Sequence, residues 1–280
     1  MESALYIVAT PIGNLEDITL RAVATLRGVD LIAAEDTRHT RRLLQHLDID
    51  TPLTAYHEHS DEAVARRLCE RVDSGQSVAL VSDAGTPMIS DPGYRLVRAA
   101  QAVGVPVVPI PGACAAVAAL SASGLPSDRF LFAGFLPARA AARQKRLLQL
   151  ADEQATLVLY EAPHRLQETL SDLAQCFGGE REAVLARELS KAFETIRRAS
   201  LADLTAFVAA DSNQSRGEIV LLVAGSAAQD PEVDASLAGL MQSLSTRMPP
   251  REAAALLSTY SGVKKNRLYS HWLAGQRNDA

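Results

Sequence analysis

Residues 82–93 read SDAGTPMISDPG, two aspartates set among two glycines and two prolines, with no basic side chain. Glycine lets a ligand lie against bare backbone. Asp83 and Asp91 repel phosphate and favour a cation, or amino and hydroxyl donors. The spacings G-x-x-x-x-G-K-[ST] and G-x-G-x-x-G are both absent, so no P-loop lysine is available for a triphosphate. A sulfonium meets this description. Three other loops share the unusual chemistry: TPIGN (10–14), EDTR (35–38) and PGACA (111–115). Leaving the carboxyl ends of strands in one open α/β sheet, all four would converge on a single ligand.

Strands and helices must hold those loops. LYIVAT, DLIAAED, SVALVSD and VPVVPI are strand-like apolar runs that alternate with helix-periodic segments. Thr19 begins a first helix that Gly28 closes, and Thr37 is placed to cap RHTRRLLQHL. Ser60 is placed to cap DEAVARRLCERVD, which stops at Gly75, and GYRLVRAAQAVG and the alanine-rich PGACAAVAALSASG follow. The alternation predicts an α/β domain over residues 1–120 with a largely parallel sheet. A second α/β domain is predicted over 121–225, with strands RFLFAGFLP, TLVLYEA, AVLAREL and EIVLLVAG and helices starting near Ala140, Pro163 and Leu201. Residues 226–236 read as a polar linker, and 237–280 as a helical extension with two short helices joined around Gly262.

Composition narrows the class. Over 280 residues, 48% hydrophobic and 22% charged content describes a soluble globular chain. Cys69, Cys114 and Cys176 are far apart and fit reduced thiols of a cytoplasmic protein. The chain enters a strand almost at once, with no signal peptide in view. The most apolar stretch is broken by Pro106, Pro109 and Pro111 and predicts no membrane span. His57 and His59 lack a third spaced ligand, so no metal site is expected. A net charge of −5 argues against nonspecific nucleic-acid binding by the whole surface. Local patches are another matter: RHTRR (38–42), RAAARQKR (139–146) and KKNR (264–267) are clustered, although a solvated helix face is the ordinary reading of each.

TPIGNLEDIT, AAEDTRHTRRLL, VSDAGTPMISDPG, PGACA and LYEAPHRL, taken in order, resemble the tetrapyrrole-methylase superfamily of S-adenosylmethionine-dependent methyltransferases. Within it they are most similar to the bacterial 16S rRNA cytidine-2′-O-methyltransferase branch, whose C-terminal extension GVKKNRLY also resembles. The resemblance implies two α/β domains enclosing S-adenosylmethionine in a cleft, usually in a homodimer, with 16S rRNA of the small ribosomal subunit as partner. It implies that Pro11 and Gly13 line the cleft and that Asp83, Ala84 and Gly85 meet the methionine end. Ile89 and Ser90 would close over the cofactor, and Gly112 and Ala113 would leave room for it. Leu159, Ala162 and Ala224 would pack on the adenine. RNA phosphates would meet Arg38, Arg41 and Arg42, and Lys264 and Lys265 in the tail.

Methyl transfer to a ribose hydroxyl needs in-line approach and an acceptor for the proton. The residues offer Glu35 and Asp36, His57 and Glu58 of YHEH, and Glu188, Lys191 and Glu194 of RELSKAFET, without deciding among them. Asp36 is the one we place at the reacting end, with Arg38 beside it. Two other readings compete. Carbon methylation of a corrin-type tetrapyrrole would favour a wide aromatic trough, and the chain is only 5% aromatic. A cofactor-sensing module without turnover would not need so many ionisable residues at the cleft.

Overall fold

The computed structural model describes residues 1–57, 62–227 and 233–278. Five short runs build a wholly parallel sheet: β1 (Leu5–Val8), β2 (Leu31–Ala34), β3 (Leu53–Ala55), β4 (Val78–Val81) and β5 (Val107–Ile110). Their order is β3-β2-β4-β1-β5. β1, β2 and β4 are buried at every position, as strands covered on both faces must be, so their sequences are apolar without alternation. β3, at the sheet edge, is three residues, none of them buried, and gave no clear strand signal.

The helices α1 (Leu20–Gly28), α2 (Thr37–His46), α3 (Glu62–Asp73), α4 (Tyr94–Ala102) and α5 (Ala115–Ser123) follow the sheet strands. Thr19 caps α1, accepting the Ala22 N–H at 3.1 Å. The cap of α2 is Asp36 and not Thr37; its carboxylate accepts the Arg38 N–H at 2.8 Å. An aspartate one position earlier competes better for that end than threonine. Ser60, expected to cap α3, lies outside the described residues.

The second sheet runs β6 (Phe130–Phe135), β7 (Thr156–Glu161), β8 (Glu182–Arg187), β9 (Thr195–Ser200) and β10 (Ile219–Val223), in the order β6-β7-β10-β8-β9. Only β6 and β7 pair in parallel; β10 is antiparallel to both β7 and β8, and β8 to β9. Its outer face is covered by α6 (Ala140–Leu150), α7 (Leu166–Phe177) and α8 (Leu201–Ala210), over a core that includes Leu147, Leu157, Leu159, Leu170, Leu185, Leu204 and Leu221. Alternate residues point the other way. Val158, Val184, Ala186, Val220 and Leu222 pack against Ala116, Ala119 and Leu120 of α5, together with Ile12 from the first sheet's side. The boundary expected near residue 120 therefore falls inside a helix that serves the second sheet, and residues 1–225 form one compact unit.

Residues 226–280 form a separate unit. It holds α9 (Ala235–Ser245), α10 (Pro250–Ser261) and α11 (Lys265–Asn278), packed on Met241, Ala253, Ala254, Leu257, Val263 and Leu268. Gly262 ends α10 in the left-handed conformation, φ 73°, which is the turn expected there. The expected linker overlaps the start of α9, which Asp234 caps. Among the described residues no helix is long and apolar enough to cross a membrane.

Candidate active site

The four loops singled out in the sequence do leave the carboxyl edge of the parallel sheet, and hydrogen bonds lock them together. Thr10 and Gly85 exchange backbone bonds at 2.9 and 3.0 Å, and the Thr10 hydroxyl donates to Ser82 O at 3.3 Å. Thr86 Oγ1 donates to Ala113 O at 2.9 Å. Gly85 sits at φ 79°, and a Cβ there would lie 3.3 Å from Ile12 Cγ2, so this turn takes only glycine without strain.

Facing these loops across a cavity of about 430 Å³ is one end of the second sheet. Glu35, Asp83, Ala84, Gly85, Ile89, Ser90 and Asp91 line the near wall. Phe135, Tyr160, Ala162, Gly217, Glu218 and Val220 line the far one, with Cys114 and Ala115 at the start of α5. The Tyr160 hydroxyl accepts the Ala116 N–H at 3.2 Å, and its ring meets Phe132 and Phe135 edge-on at 5.0 and 5.7 Å. Burial raises the Tyr160 phenol above its ordinary value, which keeps it neutral.

Carboxylates dominate the near wall. Asp83 Oδ1 accepts the Asp36 N–H at 3.0 Å, and Glu35 Oε2 accepts the Asp83 N–H at 3.4 Å. Burial, then the charges of Glu35 and Asp83, push Asp91 up to about 6. Among the described residues no lysine or arginine pairs with Asp83 or Asp91, and no group of three or more side chains is placed to hold a metal. Such a wall favours a bound positive charge.

The other expected site residues are distributed as follows. Pro11 is buried, Gly13 is exposed, and of that loop only Ile12 between them lines the cavity. Gly112 supports the site from behind, where a Cβ would come 2.9 Å from Ala9 Cβ. Ala113 lines a second, neighbouring hollow with Asp17, Ile196 and Leu189. Two adenine contacts need correction. Leu159 is fully buried on the outer face of β7, since successive strand residues point oppositely, and Tyr160 faces the cavity in its place. Ala224 follows β10 at the wrong end: β10 is antiparallel to β7, so its first residues, beside Glu161, reach the cavity.

Asp36, expected at the reacting end, is held by its neighbour. Arg38 grips its carboxylate through Nε at 3.2 Å and Nη2 at 2.8 Å, besides the backbone cap. Those bonds hold it well below the usual carboxylate range, and it does not line the cavity. Arg38 itself is 87% exposed, and Arg41 and Arg42 are exposed beside it on α2. Lys191 is no free base either. Burial opposes its charge, but bonds to Glu188 (2.9 Å) and Glu218 (3.1 Å) outweigh that and raise its pKa. Its stem packs on Gly13, where a Cβ would lie 2.4 Å from Lys191 Cγ. Ser190 hydrogen-bonds Asp17 from the same loop, so this corner ties the second sheet to the first. Glu58 lies outside the described residues. Lys264 and Lys265 are exposed at the start of α11.

The cavity residues not anticipated as such are chiefly Tyr160, Phe135, Leu189 and the run Gly217–Val220. Strand alternation in LYEAP could have favoured Tyr160 over Leu159. Nothing local signals that β10 points its first residues at the site.

A parallel and a mixed sheet closing on an acid-walled, glycine-backed cavity define a two-sheet α/β protein made for a compact cationic ligand. The profile of the tetrapyrrole (corrin/porphyrin) methylases matches residues 4–205, and the chain belongs to that family. A second profile, the RsmI C-terminal HTH domain, matches residues 227–276. The chain is 57% identical over 274 residues to ribosomal RNA small subunit methyltransferase I of Pseudomonas aeruginosa, covering 97% of each. It is 50% identical over 275 residues to the protein of that name from Escherichia coli O157:H7, covering 98% of this chain and 96% of the other. Among solved structures, uroporphyrin-III-C-methyltransferase from Thermus thermophilus superposes with a TM-score of 0.55 at 25% identity, over 79% of this chain and 93% of that one.

Proposed function

We propose that the chain transfers a methyl group from S-adenosylmethionine to the ribose 2′-oxygen of a cytidine in 16S rRNA. The observation that carries this is the acidic, glycine-backed cradle Asp83–Ala84–Gly85 at the cavity wall. The residues fit the cofactor: Asp83, with no basic partner among the described residues, suits its positively charged methionine end, and Gly85 leaves space where a larger side chain would intrude. When bound, the cofactor supplies a methyl carbon made electrophilic by the positive sulfur. Asp83 is held by the Asp36 N–H and is ready to orient that end. Ile89 and Ser90 border the same wall, while Ala162, Tyr160 and Val220 offer an apolar face for the adenine. Gly112 acts from behind the wall, where its lack of a side chain lets its loop lie against Ala9.

The relatives' name supports ribosomal RNA over a tetrapyrrole as acceptor, since the ribosomal relatives match at twice the identity and over nearly the whole chain. Arg38, Arg41 and Arg42, exposed on α2, are assigned to RNA phosphates, as are Lys264 and Lys265. Glu35 remains a candidate near the reacting atoms because it lines the cavity. We place the protein in the cytoplasm as a homodimer acting on the small subunit, which the resemblance supports. The test offers labelled cofactor with small subunits, free 16S rRNA or a porphyrinoid, then digests the RNA. Label in 2′-O-methylcytidine is expected; label on a base or on the porphyrinoid refutes the reading. Gly85→Val is expected to abolish cofactor binding in a folded protein.

A further inference from the structure

On the reading that the acceptor is a ribose hydroxyl, we propose that Asp91 is the catalytic proton acceptor, its carboxylate taking the hydroxyl proton as the methyl group arrives. The loop is shaped to present it. Met88 and Ser90, neither of them glycine, sit at φ 72° and 70° on one side of Asp91. Gly93 sits at φ 139° on the other, so close to the sheet that a Cβ would come 2.8 Å from Leu80 Cδ2. Left-handed backbone at non-glycine residues persists only where the surroundings impose it, and it collects at functional sites. Here it folds the loop back over β4 and leaves Asp91 on the cavity wall.

The remaining acids near the cavity are otherwise engaged. Glu161 is buried and bound by Arg165 at 2.7 Å and Thr169 at 2.6 Å. Lys191 holds both Glu188 and Glu218. Asp36 belongs to Arg38, and Asp83 and Glu35 each accept a backbone N–H. The groups that face Asp91 are Glu35 from the loop after β2, Asp83 and Ser82 of its own loop, and Tyr160 of β7 across the cavity. The two carboxylates oppose its ionisation, the Ser82 hydrogen bond favours it, and burial is the largest influence, giving a value of about 6. That is strong enough to accept a proton and low enough to be ionised at neutral pH.

The step balances. The ribose O–H bond breaks as the O–CH₃ bond forms, and the proton passes to Asp91. The methyl–sulfur bond breaks with its electron pair left on sulfur. A sulfonium and a carboxylate become a thioether and a carboxylic acid, so both charges disappear inside a partly desolvated site.

The experiment measures cofactor binding by calorimetry and methyl transfer to small subunits across pH, for wild type, Asp91→Asn and Asp91→Ala. For wild type, kcat/KM for the cofactor rises through a single acid limb near 6 and is flat above it. The limb in kcat lies lower, because a bound cation favours the carboxylate. Asp91→Asn retains cofactor affinity, loses at least about 100-fold in kcat and shows no such limb. Formate restores part of the activity of Asp91→Ala, which a merely structural role does not allow. Near-normal kcat at saturating cofactor with a collapsed affinity makes Asp91 a cofactor ligand and overturns the proposal, as does an unchanged pH profile. If wild type methylates some acceptor other than a ribose, the functional reading fails by itself. Asp91 is then judged by the same variants on that acceptor, and an undiminished kcat in Asp91→Asn overturns its role.

Discussion

At Asp91, charge, burial and backbone shape are in conflict, and the conflict has a cost in stability. Its folded pKa lies above the ordinary 3.8, so the folded state binds that proton more tightly than the unfolded chain does. The resulting penalty is absent below the ordinary value, grows through the interval and is complete above about 6. Asp91→Asn should therefore stabilise the protein at neutral pH, by roughly 1 kcal/mol after solvent screening, which is a Tm increase of about 2–4 °C. The gain should vanish in thermal scans below about pH 4. Equal Tm values for the two proteins at neutral pH would show that Asp91 is not under this strain. The aspartate pair of the opening motif was legible as cation-seeking chemistry because composition alone carries that signal. Which carboxylate is engaged and which is available was not, since that depends on Arg38 curling back to Asp36, an arrangement set by the start of α2.

Elements show the same division. Every helix expected along residues 1–225 is present, because period and caps are local properties. The direction of β10 is not local, since side chains alternate alike whichever way a strand runs. Ala224, which the resemblance puts on the adenine, consequently lies at the end of β10 away from the cavity, and β9 escaped notice because TIRRAS looks like a polar connection. RAAARQKR is a sharper case: its basic composition reads as a solvated face, yet Arg143 in its middle is 2% exposed. Its Nε reaches Asp172 of α7 at 2.6 Å, and Nη1 donates to Ala138 O at 3.2 Å. Arg143→Ala leaves Asp172 buried without its ionic partner, with only the Gln144 amide still bound to it, and should cost about 3 kcal/mol in urea unfolding. Arg143→Met combined with Asp172→Leu should recover most of that stability. Gly217, at φ 80°, is another local requirement. A Cβ there would fall 2.2 Å from Glu188 Oε1, so Gly217→Ala should displace Glu188 and leave Lys191 paired with Glu218 alone, at a cost of roughly 1–3 kcal/mol.

At the scale of the whole molecule, the proposed RNA substrate has to be met by local patches of arginine and lysine, because the net charge is −5. The C-terminal unit has its own core and fits the helix-turn-helix profile, with Lys264 and Lys265 opening its last helix. Removing residues 227–280 should weaken RNA binding and leave cofactor binding unchanged. Replacing Lys264 and Lys265 with alanine should lower the salt dependence of RNA affinity by about one unit of slope for each phosphate left unneutralised; an unaltered slope would remove both from the interface. The parallel sheet carries one more implication, for the order of events during synthesis. β1 is made first, yet its neighbours are β4 and β5, with Leu5 opposite Val78 and Val8 opposite Ile110. The strand that bears the first site loop thus leaves the ribosome with nothing to pair with, and its place in the sheet closes only after more than a third of the chain has followed. Pairing over such separations is slow. The nascent protein is therefore most exposed to misassociation during that interval, and the four loops of the active site take shape together, when β5 arrives.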